Sequence, residues 1–191
     1  MAALAALAGD EVPTRVSVFV EYQEGVVERF TEEEGHLMAH IGFQDDSEAS
    51  QYQNWWLPPL PMRLVCSASH ALAARSDLTT ADTSNSTELT VRDSSRRRNV
   101  DLRRSFTESQ HVVFLSDFHA KRLALLAGSG FGWMPLHLIE RDLEEGGLMP
   151  LEVDGRSEWT YQPAVSARSG DAILRGAQTF LKSLGLFEQK T

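Results

Sequence analysis

Only one cysteine, Cys66, stands among the 191 residues, so no internal disulfide can staple the fold, and a lone thiol fits a reducing compartment. No stretch comes near the roughly 20 consecutive apolar residues that a membrane span takes. The opening MAALAALAG is short, has no basic leader and runs into DEVP, which suits the tail of a helix better than a signal peptide. Basic residues are also short. Lys and Arg number 18 against 27 Asp and Glu, a net charge of −9, whereas gripping nucleic-acid phosphates takes a basic surface. Metal-ligand clustering is missing too. His36 and His40 lie four apart around an expected strand, where four residues span roughly 13 Å, and no third ligand accompanies them. No metal and no cofactor is therefore expected.

What is present is an alternation of strand-like and helix-like stretches. RVSVFVEY (15–22) alternates apolar and polar residues with the period of a strand, and VVERFTEEEG follows as a short amphipathic helix closed by Gly35. LMAHIGF (37–43) reads as a buried strand and QDDSEASQYQN as a polar loop. NWWLPPLPMRLVCS sets three prolines just before a strand, which suits an edge or a crossover. SDLTTAD reads as a helical turn capped by Ser76 or Asp77, TELTVRDSS (87–95) as a strand ending in a polar turn, and RRRNVDLRRSF as a basic helix. HVVFLSD, FHAKRLALLAGS, FGWMP and LHLIERDLEEGG follow as strand, helix, strand, helix. Strands at LMPLEV and YQPAVSAR and a final helix, DAILRGAQTFLKSLGLF, complete an α/β chain in which parallel sheets are expected to dominate.

The glycine run in LLAGSGFGWMP (125–135) raises the one motif question. A phosphate-cradling loop takes strand, glycines, then helix, because the phosphate sits on N–H groups at a helix start. Here the order is reversed. A nucleophile elbow fails as well, since Ala127 occupies the position two before Ser129 where glycine is needed. The run therefore reads as a joint, with glycine supplying the left-handed turn that ends a helix and letting the next strand pack closely.

That joint carries a family likeness. AKRLALLAGSGFGWMPLHLIERDLEEGGLMPLEV resembles the C-terminal half of the effector-binding domain of LysR-type transcriptional regulators. LVCSASHALAARSDLTTADTSNSTELTVRDS is similar to the same family's strand–HPLA–L-x-x-L segment, with Ala71 in place of the usual proline. EGVVERFTEEEGHLMAHIGF resembles its l-x-x-G-x-l-D-l-a-i stretch, with His36 where an acidic residue is usual. The resemblance implies an α/β fold of two hinged Rossmann-like lobes, as in type II periplasmic binding proteins, with a small effector in the cleft. Lobe I would comprise residues 1–65 plus 160–191, and lobe II residues 66–159. It also implies side-by-side association as a homodimer or tetramer, helix of one lobe against strand of the other. DNA contact would run through a winged helix–turn–helix that these residues do not contain, in the cytoplasm and away from membranes. The opening strand of lobe I and its loop are expected to be missing.

Transferred residue by residue, the family's effector-facing positions fall on Ser94, Ser95, Arg96 and Arg97. There, hydroxyls, N–H groups and guanidinium charge suit a carboxylate, while a helix cap with a solvated basic run explains the same residue types. An anionic effector fits this arginine-rich turn; aromatic and sulfur-containing ones fit the apolar positions equally. Phe118 and Phe131 are cleft-wall candidates or ordinary core, and Asp117 reads first as a helix N-cap. Tyr22 and Gln23 sit at the expected C-terminal end of a strand, where open α/β sheets place ligands. Trp55 and Trp56 suit either a partner patch or packing at the lobe boundary. Two rival functions share the scaffold. One is a solute-binding protein of a transporter, which needs a secretion signal. The other is an enzyme using Asp117, His119 or Asp93 as base, for which no acid–base pair is fixed by spacing.

Overall fold

The computed structural model describes Ala5, Leu7 and residues 15–33, 35–42, 49–96 and 109–186. Two compact units emerge, Met1–Pro58 with Gln162–Thr191, and Pro59–Tyr161. The divisions fall at the Pro58–Pro59 and Tyr161–Gln162 bonds rather than at 65/66 and 159/160. The physical reason is that Leu60–Ser67 is a single unbroken strand paired wholly inside the second unit.

The first unit holds helix α1 (Glu24–Glu32), strands β1 (Met38–His40), β2 (Tyr52–Trp56) and β9 (Ala164–Arg168), and helix α5 (Arg175–Ser183). Its sheet runs β1-β9-β2, antiparallel throughout. Central β9 is buried along most of its length, and Phe30, Met38, Val165 and Leu181 are buried with it. Arg168 ends β9 with its guanidinium over the Phe30 ring, 4.4 Å from the centroid, and donates to the carbonyls of Phe30 and Gly35. The Phe30 carbonyl, in the last turn of α1, also accepts from Gly35 N–H, and a cation at this helix end complements the helix dipole.

Two expectations fail in this unit. Residues 15–20 are exposed and belong to no strand, and their backbone makes no hydrogen bond among the described residues. Period-2 alternation makes a strand only where a neighbour completes the ladder. Conversely, β2 forms inside what reads as a polar loop, because Asn54, Trp55 and their neighbours pair with β9.

The second unit is built on β3 (Leu60–Ser67), β4 (Thr87–Val91), β5 (His111–Leu115), β6 (Phe131–Pro135), β7 (Leu148–Pro150) and β8 (Glu158–Tyr161). The order is β5-β4-β6-β3-β7, with β8 on β3. Among the described strands, parallel pairing joins only β4 with β5 and β4 with β6, so antiparallel contacts dominate, contrary to expectation. Alternate residues of β3 and β6 feed two clusters. Leu64, Cys66 and Phe131 join Leu72, Leu78, Leu151 and Val153, while Val65 and Met134 join Leu89, Leu125, Ile139 and Leu148. The sheet is thus apolar on both faces. Cys66 behaves as a small hydrophobe, and burial pushes its thiol up to about 11.

Helix α3 (Phe118–Leu126) packs on the sheet, and α4 (Glu140–Glu144) is tied to it by Arg122, which donates from two nitrogens to the two oxygens of buried Asp142. The short helix α2 (Thr80–Thr83) starts at Thr79, not Ser76 or Asp77, because Asp82 reaches back to accept from the Thr79 N–H and hydroxyl.

The glycine joint is visible in full. Gly128 N–H donates to the Leu125 carbonyl and Ser129 N–H to that of Ala124, the paired bonds of a helix closed by a left-handed residue, with Gly128 at φ 76°. A Cβ on Gly130 would stand 2.2 Å from the Thr87 carbonyl oxygen, and one on Gly132 2.4 Å from that of Leu89. Glycine lets β6 lie against β4.

Candidate functional site

In the second unit the parallel strands β4 and β5 end side by side. Val91 pairs with Leu115, and Arg92 N–H donates to the Leu115 carbonyl across 2.9 Å. The loop of residues 92–96 therefore leaves the sheet beside the start of α3. Carboxyl ends of neighbouring parallel strands are where open α/β sheets hold ligands, because the diverging loops leave room and point backbone donors outward.

Asp93 organises the β4 side. Its Oδ1 accepts from Ser95 N–H at 2.8 Å, which turns the loop back on itself. Its Oδ2 and the Ser95 hydroxyl are both buried and have no hydrogen-bond partner. Four such orphaned side-chain atoms occur among the described residues, on Arg29, Asp93, Ser95 and Trp133, so half of them lie within this one turn. A buried polar atom without a partner costs roughly 1–3 kcal/mol, and in a native fold that calls for a reason. Ser94 and Arg96 are exposed at the same turn. Arg97 and the basic stretch after it lie outside the described residues.

On the β5 side Asp117 caps α3, accepting from Ala120 N–H and from the Ser116 hydroxyl, both at 2.7 Å. These bonds, that from Ala120 foremost, hold its carboxyl below the usual carboxylate range. A capping carboxylate with a lowered pKa is a poor general base, which speaks against Asp117 among the three bases named for the enzyme reading. It also satisfies the helix start, so anion binding there has no free donor at that N–H.

Phe118 is half-buried against the Val65–Leu89–Leu125 cluster, with the Lys121 ammonium 5.9 Å from its ring centroid. Lys121 is buried, and desolvation brings its pKa down to about 8. Phe131 is fully buried in the Leu64–Cys66 cluster and presents no surface. Tyr22 and Gln23 belong to the first unit, where they start α1: the Tyr22 carbonyl accepts from Gly25 N–H and the Gln23 carbonyl from Val26 N–H. Gln23 adopts φ 55°, and among the described residues no strand precedes it. Ser94, Ser95, Arg96 and Phe118 are thus brought to one end of one sheet. Asp93, the residue that shapes the turn, was read in sequence only as a conceivable base; its position two before Ser95, the spacing of an Asx turn, is the signal that marks it.

Elsewhere, a pocket of about 490 Å³ in the first unit is lined by Thr31, His36, Arg168, Asp171 and Leu174 among others. It holds none of the residues above, and its arginine is already committed to the end of α1. His40 is engaged as well, accepting from Gly42 N–H at Nδ1 and sharing a 2.8 Å hydrogen bond with Ser166 through Nε2. Among the described residues no three His, Cys, Asp or Glu side chains cluster to hold a metal. No described helix is long and apolar enough to cross a membrane.

Comparison with known proteins places this geometry. The family described as LysR substrate binding domain matches residues 1–185. The C-terminal domains of a LysR family protein from Agrobacterium tumefaciens superpose with TM-score 0.67 at 21% identity, over 96% of this chain and 84% of that one. The regulatory domain of MetR, a LysR family regulator from N. meningitidis, gives 0.62 at 15% identity, over 83% and 73%. The CcmR regulatory domain from Synechocystis, solved in complex with 2-PG, gives 0.63 at 17% identity, over 83% and 76%. No curated protein sequence matches the chain.

Proposed function

The chain belongs to the LysR substrate binding domain family, an effector-sensing regulatory domain, and from that membership we propose that its effector is held at the carboxyl ends of β4 and β5. The observation that carries this reading is the pair of buried, unpartnered oxygens on Asp93 and Ser95, in the turn after β4, at the same sheet end where half-buried Phe118 opens α3 after β5. Aromatic wall plus a few aimed polar atoms is the usual make-up of a small-molecule site. Exposed Arg96 suits an anionic group, and the Asp93 oxygen suits a hydroxyl or ammonium donor on the same molecule. Binding rather than bond-breaking is the task, and differential affinity for two conformations transmits it. A separate winged helix–turn–helix would read DNA, within a cytoplasmic homodimer or tetramer.

A thermal-shift screen of small carboxylates, hydroxy acids and amino acids, with 2-PG among the first probes, tests the reading. A true effector at 100 times its dissociation constant adds about 2.7 kcal/mol. Ser95→Ala then separates binding from structure. It removes a hydroxyl that bonds to nothing in the free protein, so stability holds while affinity falls. A confirmed ligand whose affinity ignores Ser94→Ala, Ser95→Ala and Asp93→Asn overturns the site. The share assigned to Tyr22 and Gln23 is read in the same titration with Tyr22→Ala and Gln23→Ala.

A further inference from the structure

Lysine is scarce in this chain, with three, Lys121, Lys182 and Lys190, against 15 arginines. One of the three lies inside the protein. Lys121, on the sheet-facing side of α3, is 4% exposed, where a lysine is normally found only if a partner neutralises it. No hydrogen bond or ion pair engages its amine among the described residues. Its Nζ is nevertheless not one of the sealed, orphaned atoms, which sit on Arg29, Asp93, Ser95 and Trp133, so the tip of the side chain still meets solvent. The fold makes room for it. A Cβ on Gly132 would stand 3.0 Å from Lys121 Cε and 3.2 Å from Nζ, so this glycine of β6 leaves the slot in which the side chain lies. Helical side chains lean toward the helix N-terminus. Here that direction leads to Phe118, whose ring centroid is 5.9 Å from Nζ, at the sheet end where β5 gives way to α3. Desolvation brings the amine down to about 8, and the buried carboxylate of Glu88 offsets this only in part. About 10% of it is then free base at pH 7, against roughly 0.04% for an ordinary lysine.

An amine in apolar surroundings, with its lone pair uncommitted and its tip at the surface, is the setting in which lysine attacks carbonyl groups. A structural ammonium is built differently, ringed by carbonyls or carboxylates that accept its three protons, and no such bond is made here. We infer that Lys121 Nζ is a covalent docking point for a small aldehyde or keto acid, held as an imine. The lone pair adds to the carbonyl carbon, and the resulting carbinolamine expels water. A C=N bond replaces the C=O bond, both amine hydrogens leave in the water, and nothing is oxidised or reduced. Hydrolysis returns the carbonyl compound unchanged, so the step is reversible binding and not turnover. This inference goes beyond the effector site proposed above and does not depend on it, since neither Asp93 nor Ser95 takes part in the condensation.

The scarcity of lysine makes the test direct. The whole chain is incubated with glyoxylate at neutral pH, with cyanoborohydride present to reduce the imine and fix it, and the label is located by peptide mass mapping. Lys121 should be modified about tenfold faster or more than Lys182, which is exposed on α5. In the urea-unfolded chain the ratio should fall to about one, because burial is what frees the amine. Acetaldehyde, which carries no charge, should show the same preference. Lys121→Met should confine the label to Lys182, Lys190 and the N-terminus without lowering the urea midpoint, since no hydrogen bond is lost. Three results overturn the inference. Lys121 unmodified in the folded chain while Lys182 is labelled marks an amine sealed in the core. A preference that survives unfolding owes nothing to the fold. A preference shown by glyoxylate and not by acetaldehyde marks an amine that only attracts anions. None of these results bears on whether Ser95→Ala weakens effector binding, so the two readings fail separately.

Discussion

Adding one methyl group at Gly130 puts it 2.2 Å from the Thr87 carbonyl oxygen, 3.1 Å from the carbonyl carbon and 3.3 Å from Leu89 Cγ. The first two atoms are β4 backbone, so no side-chain rotation relieves the overlap. A tolerable carbon–oxygen contact is more than 3 Å, and β6 must therefore withdraw by about 1 Å from the strand it joins at Glu88 and Phe131. Overpacking of this kind costs about 3 kcal/mol. Gly146→Ala supplies the internal standard. Gly146 has φ 72° after α4 with nothing within 4 Å of its would-be Cβ, so alanine there meets only the left-handed backbone cost of about 1 kcal/mol. Both glycines lie in the Pro59–Tyr161 unit and report on one cooperative transition. At an m of about 2 kcal/mol/M the urea midpoint should fall by about 1.5 M for Gly130→Ala and about 0.5 M for Gly146→Ala. Equal midpoints would refute the close approach of β6 to β4 as the reason for glycine in this joint.

Phe131→Ala should cost about 3–5 kcal/mol in the same urea assay, since the ring is fully buried among Leu64, Cys66, Leu72 and Leu151. Asp117→Ala should lower the midpoint by uncapping α3, and Asp117→Asn should recover part of the loss, because asparagine also caps. Stability of the first unit should depend on His40, whose pKa burial pushes below the usual value. The unfolded chain then binds more protons, so this contribution is whole above about pH 6.5 and is lost as pH falls from there toward the folded pKa. Chemical denaturation at pH 7.5 and 5.5 checks it: His40→Gln should narrow the difference between the two, and an unchanged difference would clear His40 of the role.

What could be read from the chain, and what could not, divides by the range of the interaction. The joint at residues 125–135 was legible because helix closure and close strand approach are local demands that only glycine meets. The strand β6 and the Leu64–Cys66 stretch of β3 were legible because their residues are apolar on both faces. The position of Ser94 and Ser95 after β4 followed from that strand alone, but the turn's geometry did not, since it depends on one Asp93–Ser95 hydrogen bond. Pairing, by contrast, is a property of two segments. Tyr52, Gln53 and Asn54 looked like loop and became β2 because β9, more than a hundred residues away, supplied the ladder. Residues 15–20 looked like strand and remained unpaired because no described segment does the same for them. The two errors have one cause and opposite signs.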